Sequence, residues 1–464
     1  MYRLYGYEIT DEEEDEKGIH LTAKILGKPA DCECGETWSL NGTRDVLVRD
    51  VNMGNKRVGV TVTRQRYICP ECGQCAIQEM PHIYEGHKMT TRLVEFIQSE
   101  SAPGTFLEVA NKIGIDEGTV RAIHEESVER RIAEMNIRTP RYMGLDEIRL
   151  GREDRAVITN LEASTVYDML PRRAEPELDR FFGALPEREK VEAIVIDDWK
   201  LYRKIIRKWF RCPIVVDKAH LIFRAGHAIE AARKVVRLNA KRSEFCHLRS
   251  DHKLLAKKEF ENQSDADALA AMLAKFPVLA ECRAALEGFW TFWSESTKQT
   301  AATNLAAWRN SVGILAKPHF RLLIRTTEEW AGEIENYFTL QDRLTNAKTE
   351  RLNGAIRRLA EAGRGYSFAT LRHKVLLNLA VAKVESRYVH PSRRRGGSAH
   401  VRGLSMDSSF SQQGETVTEK LGADLERLIA DLWAGNTSRG NSEILVDMVV
   451  GKTGKNSAQP ELFG

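Results

Sequence analysis

Nothing in the 464 residues approaches the roughly 20 uninterrupted apolar residues that a membrane-spanning helix needs. The opening MYRLYGYEITDEEEDEK is acidic where a secretory signal peptide carries an apolar core, so the expectation is a cytoplasmic protein. With 13 Pro, 32 Gly and 42% hydrophobic residues the chain is too ordinary for a collagen-like, low-complexity or fully disordered polymer. No fixed-period repeat is present, which removes solenoids and propellers. Excess charge is missing too: 69 Lys+Arg against 66 Asp+Glu leave a net of +3.

The distribution of charge says more than its sum. Between Arg351 and Gly396 there are 11 Lys or Arg and two acids, and from Arg203 to Arg224 seven bases and one acid. Such local stripes bind phosphate even where net charge is small, although a solvated helix face has the same composition. Cysteine is clustered as well. Five of eight (Cys32, Cys34, Cys69, Cys72, Cys75) fall within 44 residues, which in a reducing compartment points to metal before disulfides.

Periodicity divides the chain. The first 85 residues read as short strands, with VLVRDVNM and RVGVTVTRQRYIC alternating or β-branched. Residues 86–138 turn helical. From about 139 to 220 the pattern is β-β-β-α-β-α-β, a mixed sheet flanked by helices. Residues 221–344 show almost continuous i, i+3, i+4 apolar spacing. A helix containing NAKTERLNGAIRRLAEA follows within 345–390, and 391–464 read as an Arg-rich linker with Arg393, Arg394 and Arg395, one further helix and a loose tail.

Three constellations carry chemistry. ICPECG offers a Cys-x2-Cys knuckle at Cys69 and Cys72, and CECG adds Cys32 and Cys34, together the four soft ligands of a structural zinc; Cys75 is a possible substitute, and buried free thiols are the plain alternative. FLEVANKIGIDEGTVRAIHEE fits a helix-turn-helix, with Ala110 at the crossing, Gly114 in the turn, and Thr119, Arg121 and His124 presented to a DNA groove; a two-helix corner of any globular domain looks the same. Third, Asp146 in GLDE and Asp197 in AIVIDD lie on or end apolar strands, and Glu350 lies on a helix in TERLNG. Strand-borne acids and a helical Glu can converge on two hard divalent ions, the arrangement that phosphoryl transfer uses. Taken singly, each is a solvated strand end or helix face.

Taken together, the cysteine pairs, the helix-turn-helix, GLDE, IDDWKLY, VVDKAH and TNAKTERLNGAIRRL with GYSF resemble a transposase of the ISL-three insertion-sequence family over roughly residues 30 to 385. The resemblance implies a multidomain α/β protein: zinc ribbon and helix-turn-helix, then a ribonuclease-H-like core interrupted by an all-helical insertion. It implies a DDE transposase that binds the terminal inverted repeats of its element and cleaves and joins DNA strands. Asp146, Asp197 and Glu350 become the ligands of Mg²⁺ or Mn²⁺, with structural Zn²⁺ in the ribbon. Asp197 is preferred to Asp198 because the family places its Asp five residues before a Tyr, here Tyr202. Asp217 and His220 match an Asp-x-x-His motif and, with Asn353, are auxiliary; Asp217 is the reserve second acid. Arg351, Arg357 and Arg358 would hold phosphate backbone. The implied partners are double-stranded DNA, both element ends and target, and a second or further copy of the chain, acting in a bacterial cytoplasm at the nucleoid. Trp290, Trp293, Trp308 and Trp330 in the insertion are expected in the core, with base stacking as the lesser reading. Two competitors stay open: a DNA-binding regulator with vestigial acids, and a metal-dependent nuclease that does not join strands.

Overall fold

A computed structural model describes residues 4–240, 252–260, 262–340 and 343–381. The linker arginines Arg393, Arg394 and Arg395 and the expected last helix lie outside the described residues. The chain forms two compact units, Met1–Ile137 with Arg358–Val381, and Arg138–Arg357.

The first unit joins a sheet to a helical cluster. Its strands are β1 (Tyr7–Glu14), β2 (Gly18–Ile25), β3 (Ser39–Met53), β4 (Lys56–Ile68), β5 (Cys75–Ile77), β6 (Ile83–Tyr84) and β7 (Met89–Thr90), in the order β1-β2-β4-β3-β7-β6 with β5 on β4. Five of these are short, as expected, but β3 and β4 run to 15 and 13 residues, because β-branched alternation continues on both sides of one tight turn at Gly54–Asn55. Register places Val48 opposite Val60 and Val46 opposite Val62, so one face buries Leu21, Val48, Val60 and Val62 while Leu47, Thr61 and Thr63 face outward. The acidic run that begins at Asp11 is itself strand β1 to Glu14, and Asp15 closes its turn by accepting the amides of Lys17 and Gly18.

Helices α1 (Thr91–Glu100), α2 (Phe106–Ile113) and α3 (Glu117–Glu134) bury Leu93, Ile97, Phe106, Val109, Val120 and Ile123 together. Thr105 and Glu108 form a reciprocal capping box that starts α2, and Gly114 at φ +82° ends it in the left-handed region. Arg49 and Asn52 of β3 donate to the carbonyls of Gly114 (2.7 Å) and Lys112 (3.0 Å), tying the sheet to this turn. Residues 358–381, grouped with the core by sequence, fold here. Their helix α13 (Phe368–Leu379) packs on α3 and sends the buried Lys374 to the carbonyls of Ser101 and Gly104 (2.5 and 2.7 Å), with its ammonium 4.3 Å from the Phe106 ring centre.

In the second unit β8 (Tyr142–Leu150), β9 (Glu153–Asn160), β10 (Thr165–Leu170), β11 (Ala193–Ile196) and β12 (Ile214–Val216) make one sheet in the order β10-β9-β8-β11-β12. The first three are antiparallel, and β8, β11 and β12 run parallel. Helices α4 (Glu175–Gly183) and α5 (Lys200–Trp209) belong to the sheet. Then come α6 (Lys218–Asn239), α7 (Gln263–Lys275), α8 (Pro277–Glu295), α9 (Ala301–Ser311), α10 (Lys317–Glu329) and α11 (Ala331–Thr339), before α12 (Ala347–Ala362) returns to the sheet. A continuous core runs from Ile194, Val195 and Val215 through Leu221 to Phe289, Trp293 and Trp330. Trp293, Trp308 and Trp330 are buried and Trp290 half-buried, so the core reading of these residues holds.

Candidate active site and cysteine cluster

The parallel pairing of β8 and β11 sets Leu145 beside Ile196, so the next residues, Asp146 and Asp197, emerge side by side. Hydrophobic strand residues carry both acids inward, and Asp146 is 1% exposed and Asp197 8%. Asp217, which caps the end of β12 and precedes α6, is fully buried; its amide donates to the Ile196 carbonyl (2.8 Å) and its Oδ1 accepts from the Asn346 amide (2.9 Å), at the start of α12. One turn into α12, Glu350 comes to the same place. Asp146, His220 and Glu350 each present a ligand atom, all within 4.8 Å of one another. At the i+3 position Asn353 donates to Asp146 Oδ2 (2.9 Å), whose other oxygen accepts the Glu147 amide (2.8 Å). His220 Nδ1 donates to Asp217 Oδ2 at 3.2 Å and lies 3.0 Å from Asp197 Oδ1.

The two neighbouring acids have different partners. Asp198 is paired with Arg224 (2.8 Å), whereas Asp197 Oδ1 is buried with no hydrogen bond, as is Asn353 Oδ1. Burial, then the charges of Asp197 and Glu350, hold the Asp146 carboxyl well above the usual carboxylate range. Burial also pushes Asp197 up to about 6, with His220 working against the rise. Burial pulls His220 down, but Asp197 and Asp217 outweigh it and the imidazole stands well above its ordinary value. Asn353 Oδ1 without a partner and Asp197 Oδ1 with only the His220 ring in ion-pair range, in a set of buried acids, fit a hard divalent cation: these donors are oxygen, and one imidazolium cannot balance this many carboxylates.

Sequence reading missed what seats α12. Gly144 has no room for a side chain: a Cβ there would lie 2.5 Å from Thr159 Oγ1, 2.7 Å from Thr349 Oγ1 and 2.8 Å from Asn346 Oδ1. Thr159 and Thr349 share a buried hydrogen bond of 2.7 Å across 190 residues of sequence, and Asn346 donates to the Leu145 carbonyl (3.3 Å). The bare Gly inside an otherwise bulky strand was the one available signal. Arg173, which pairs with Glu147 and lies 4.2 Å from the Trp199 ring centre, had none.

Cys32, Cys34, Cys69 and Cys72 meet in the first unit, with Sγ separations of 3.4 Å (Cys32–Cys72 and Cys34–Cys69) and 3.5 Å (Cys32–Cys34). A tetrahedron of thiolates at ~2.3 Å from zinc has edges of about 3.8 Å, so four free thiols this close suit structural zinc. The second knuckle closes with Gly73 at φ +70° and its amide on the Cys69 carbonyl (3.0 Å). Backbone amides of Cys72 and Glu71 draw the Cys69 thiol down to about 7 despite burial. Cys75 stays outside the cluster, on β5 beside Arg66.

One expected DNA contact is corrected. His124 is fully buried between α1, α2 and α3, its Nδ1 3.0 Å from Ser101 Oγ and its ring 5.1 Å from that of Phe106. It shares the inward face of Val120, Ile123 and Ser127, so it cannot reach a groove. Asp116 caps α3, its carboxylate accepting the Thr119 amide (2.8 Å) and hydroxyl (2.6 Å), and Arg121 pairs with Glu117 (2.9 Å). On α12, Arg351 and Arg358 are exposed and Arg357 half-buried. Among the described residues no helix is long and apolar enough to cross a membrane.

A family model for ISL3-type DDE transposases, described as a transposase, matches residues 143–375, just over half of the chain. A second model, described as the zinc-finger of transposase IS204/IS1001/IS1096/IS1165, matches residues 29–72, which hold all four clustered cysteines. The transposase for insertion sequence element IS1001 from Bordetella parapertussis is 23% identical over 233 residues. That alignment covers 48% of this chain and 57% of the relative's length.

Proposed function

This chain belongs to the ISL3 family of transposases, and from that premise we propose that it cuts and joins DNA at the ends of an insertion sequence with Asp146, Asp197 and Glu350 as its metal-holding acids. The observation that carries the reading is the convergence of two strand-borne acids, set side by side by the β8–β11 register, with a carboxylate on the helix packed over them. The strand order β10-β9-β8-β11-β12, three antiparallel strands followed by two parallel ones, supports a ribonuclease-H-like core with α6 to α11 as its insertion. Mg²⁺ or Mn²⁺ held by the three acids would supply Lewis-acid stabilisation of charge on the transferring phosphate.

The chain's own groups have separable tasks. Asn353 fixes one oxygen of Asp146, leaving the carboxylate little freedom to turn away. Asp217 anchors the start of α12 through the Asn346 amide and orients His220. In the reaction, water attacks a phosphodiester to release a 3′-hydroxyl, which then attacks a phosphodiester of the target; no protein nucleophile is needed. Arg351, Arg357 and Arg358 hold the backbone of the bound strands. The cysteine cluster with its zinc, together with α2 and α3, reads the terminal repeats, with Thr119 and Arg121 as the contacts; two ends must be paired, so the working form is a dimer or larger.

The test is cleavage and joining of duplex DNA carrying the element's ends, with Mg²⁺ or Mn²⁺, for wild type and Glu350→Gln. The reading expects wild type to cut and join while Glu350→Gln binds the same DNA and does neither. Equal binding with no cutting by either protein under any metal would leave a DNA-binding regulator, and cutting without joining a nuclease.

A further inference from the structure

The helical insertion carries a cationic face that the site described above does not use. On α10, Lys317, Arg321 and Arg325 follow at four-residue spacing and are all exposed. None of the three has a hydrogen bond or ion pair among the described residues. Glu329, the acid one turn beyond Arg325, forms its ion pairs with Lys200 (2.6 Å) and Arg203 (3.4 Å) and feels Arg325 only through the longer-range attraction of its charge. Glu328 is the other acid nearby, exposed at the same end of the helix. Lys and Arg that serve only solubility are usually interspersed with acids; three bases in one line, none in an ion pair among the described residues, are not.

The helix under this line is firmly held. Phe320, Leu323, Thr326 and Thr327 are buried on its opposite side, where it packs on α6. Glu281 accepts the amides of Leu315 (2.7 Å) and Ala316 (3.3 Å) at its start, and Arg309 donates to the Thr327 carbonyl (3.0 Å) near its end. Beside the bases runs a second exposed line, Ile314, Pro318 and Leu322, which gives an apolar border. From Lys317 to Arg325 the helix advances about 12 Å at ~1.5 Å per residue. Over that length one strand of B-form DNA presents about three to four phosphates, at ~3.4 Å of axis each. Spacing, charge and rigidity therefore match a duplex backbone.

We infer that the exposed face of α10 is a phosphate track for duplex DNA, a contact independent of α3 and of the α12 arginines, with Lys317, Arg321 and Arg325 each meeting a backbone phosphate. It rests on the reading of the protein as one that acts on DNA. Because the side chains meet phosphate and not base edges, the track adds affinity without sequence preference.

The experiment is fluorescence anisotropy of the full chain on a random-sequence duplex and on one bearing the element ends, across a KCl series. It compares wild type with Lys317→Gln/Arg321→Gln/Arg325→Gln, with Lys298→Gln, exposed in the turn before α9, as a single-charge control and circular dichroism to check folding. Three lost phosphate contacts at ~0.9 each should make the slope of log K against log[salt] shallower by 2 to 3 and weaken binding about 10²-fold near 0.1 M salt, equally on both duplexes. A slope and affinity unchanged in the folded triple variant overturn the track while leaving the proposed function standing. A wild type with no salt-dependent duplex binding at all overturns the proposed function and the track with it. A triple variant that binds DNA like wild type but changes its sedimentation overturns the track in favour of a protein contact.

Discussion

Substituting Gly144 by Ala should separate the geometry of the acid cluster from DNA binding. The added Cβ lies 2.7 Å from Thr349 Oγ1 and 2.5 Å from Thr159 Oγ1, where ordinary contact begins at 3.4 Å. Relief requires a retreat of about 0.7 Å by α12, which carries Thr349 and, one residue on, Glu350, and of about 0.9 Å by β9. The shared hydrogen bond of Thr159 and Thr349, buried in a close-packed seam, resists both movements. Overpacking of this kind costs about 1–3 kcal/mol of stability. The larger effect is on chemistry, because a misplacement near 1 Å in a metal-holding carboxylate costs on the order of 10²-fold in rate. Single-turnover cleavage of end-bearing DNA at saturating Mg²⁺ should therefore fall about 10²-fold, with DNA affinity within about threefold of wild type. Adding Thr159→Ala and Thr349→Ala to the same chain removes two of the three close atoms and should recover part of the rate. If Gly144→Ala cuts within about threefold of wild type, α12 is not seated by this seam and the reasoning fails.

Asn353→Ala frees one oxygen of Asp146 and should lower cleavage by about 10-fold or more with little change in DNA binding, whereas Asn353→Asp, which adds a further buried charge, should be worse; the same cleavage assay decides. Removing zinc with a chelator, or Cys69→Ser, should leave the strands around the cluster unformed, seen as loss of amide protection in β4 and β5 and of one zinc per chain by metal analysis. Burial, helped by the charges of Lys374, Arg131 and His373, holds the His124 imidazole down at about 3 against an ordinary 6.5. A base with a depressed folded pKa stays neutral while the unfolded chain takes up the proton, so this contribution is intact above pH 6.5 and is lost progressively as pH falls towards 3. At pH 5 the loss amounts to about 2 kcal/mol, and protection of α3 amides, corrected for intrinsic exchange, should drop by that much more in wild type than in His124→Gln.

Much of the second unit was legible because its signals are local. Short apolar runs ending in Asp announced β8 and β11, and their parallel pairing then fixed which acids meet. The preference for Asp197 over Asp198 rests on a spacing to Tyr202, and no sequence signal announces that Arg224 pairs with Asp198. Less legible were features that depend on distant partners. Thr159 and Thr349 are 190 residues apart and look ordinary where they stand. His124 was misjudged by attending to its chemistry and ignoring its place: with Val120, Ile123 and Ser127 it completes an i, i+3, i+4, i+7 stripe that faces the core. Residues 358–381 were grouped with the core because they follow Glu350, although α13 completes the helical cluster of the first unit.

That discontinuity sets a timetable for synthesis. The sheet, the cysteines and α1 to α3 are complete by Ile137, yet Lys374, which satisfies the carbonyls of Ser101 and Gly104, leaves the ribosome more than 230 residues later. At ~5–20 residues per second the interval is about 10–50 s, during which the seat of Lys374 beside Phe106 stays unfilled. The unit proposed to read DNA is therefore finished only after Asp146, Asp197 and Glu350 have all been made. A chain interrupted before α13 carries the cysteines and helices without the piece that locks them, so shortened products of this gene should be poor competitors for the element's ends.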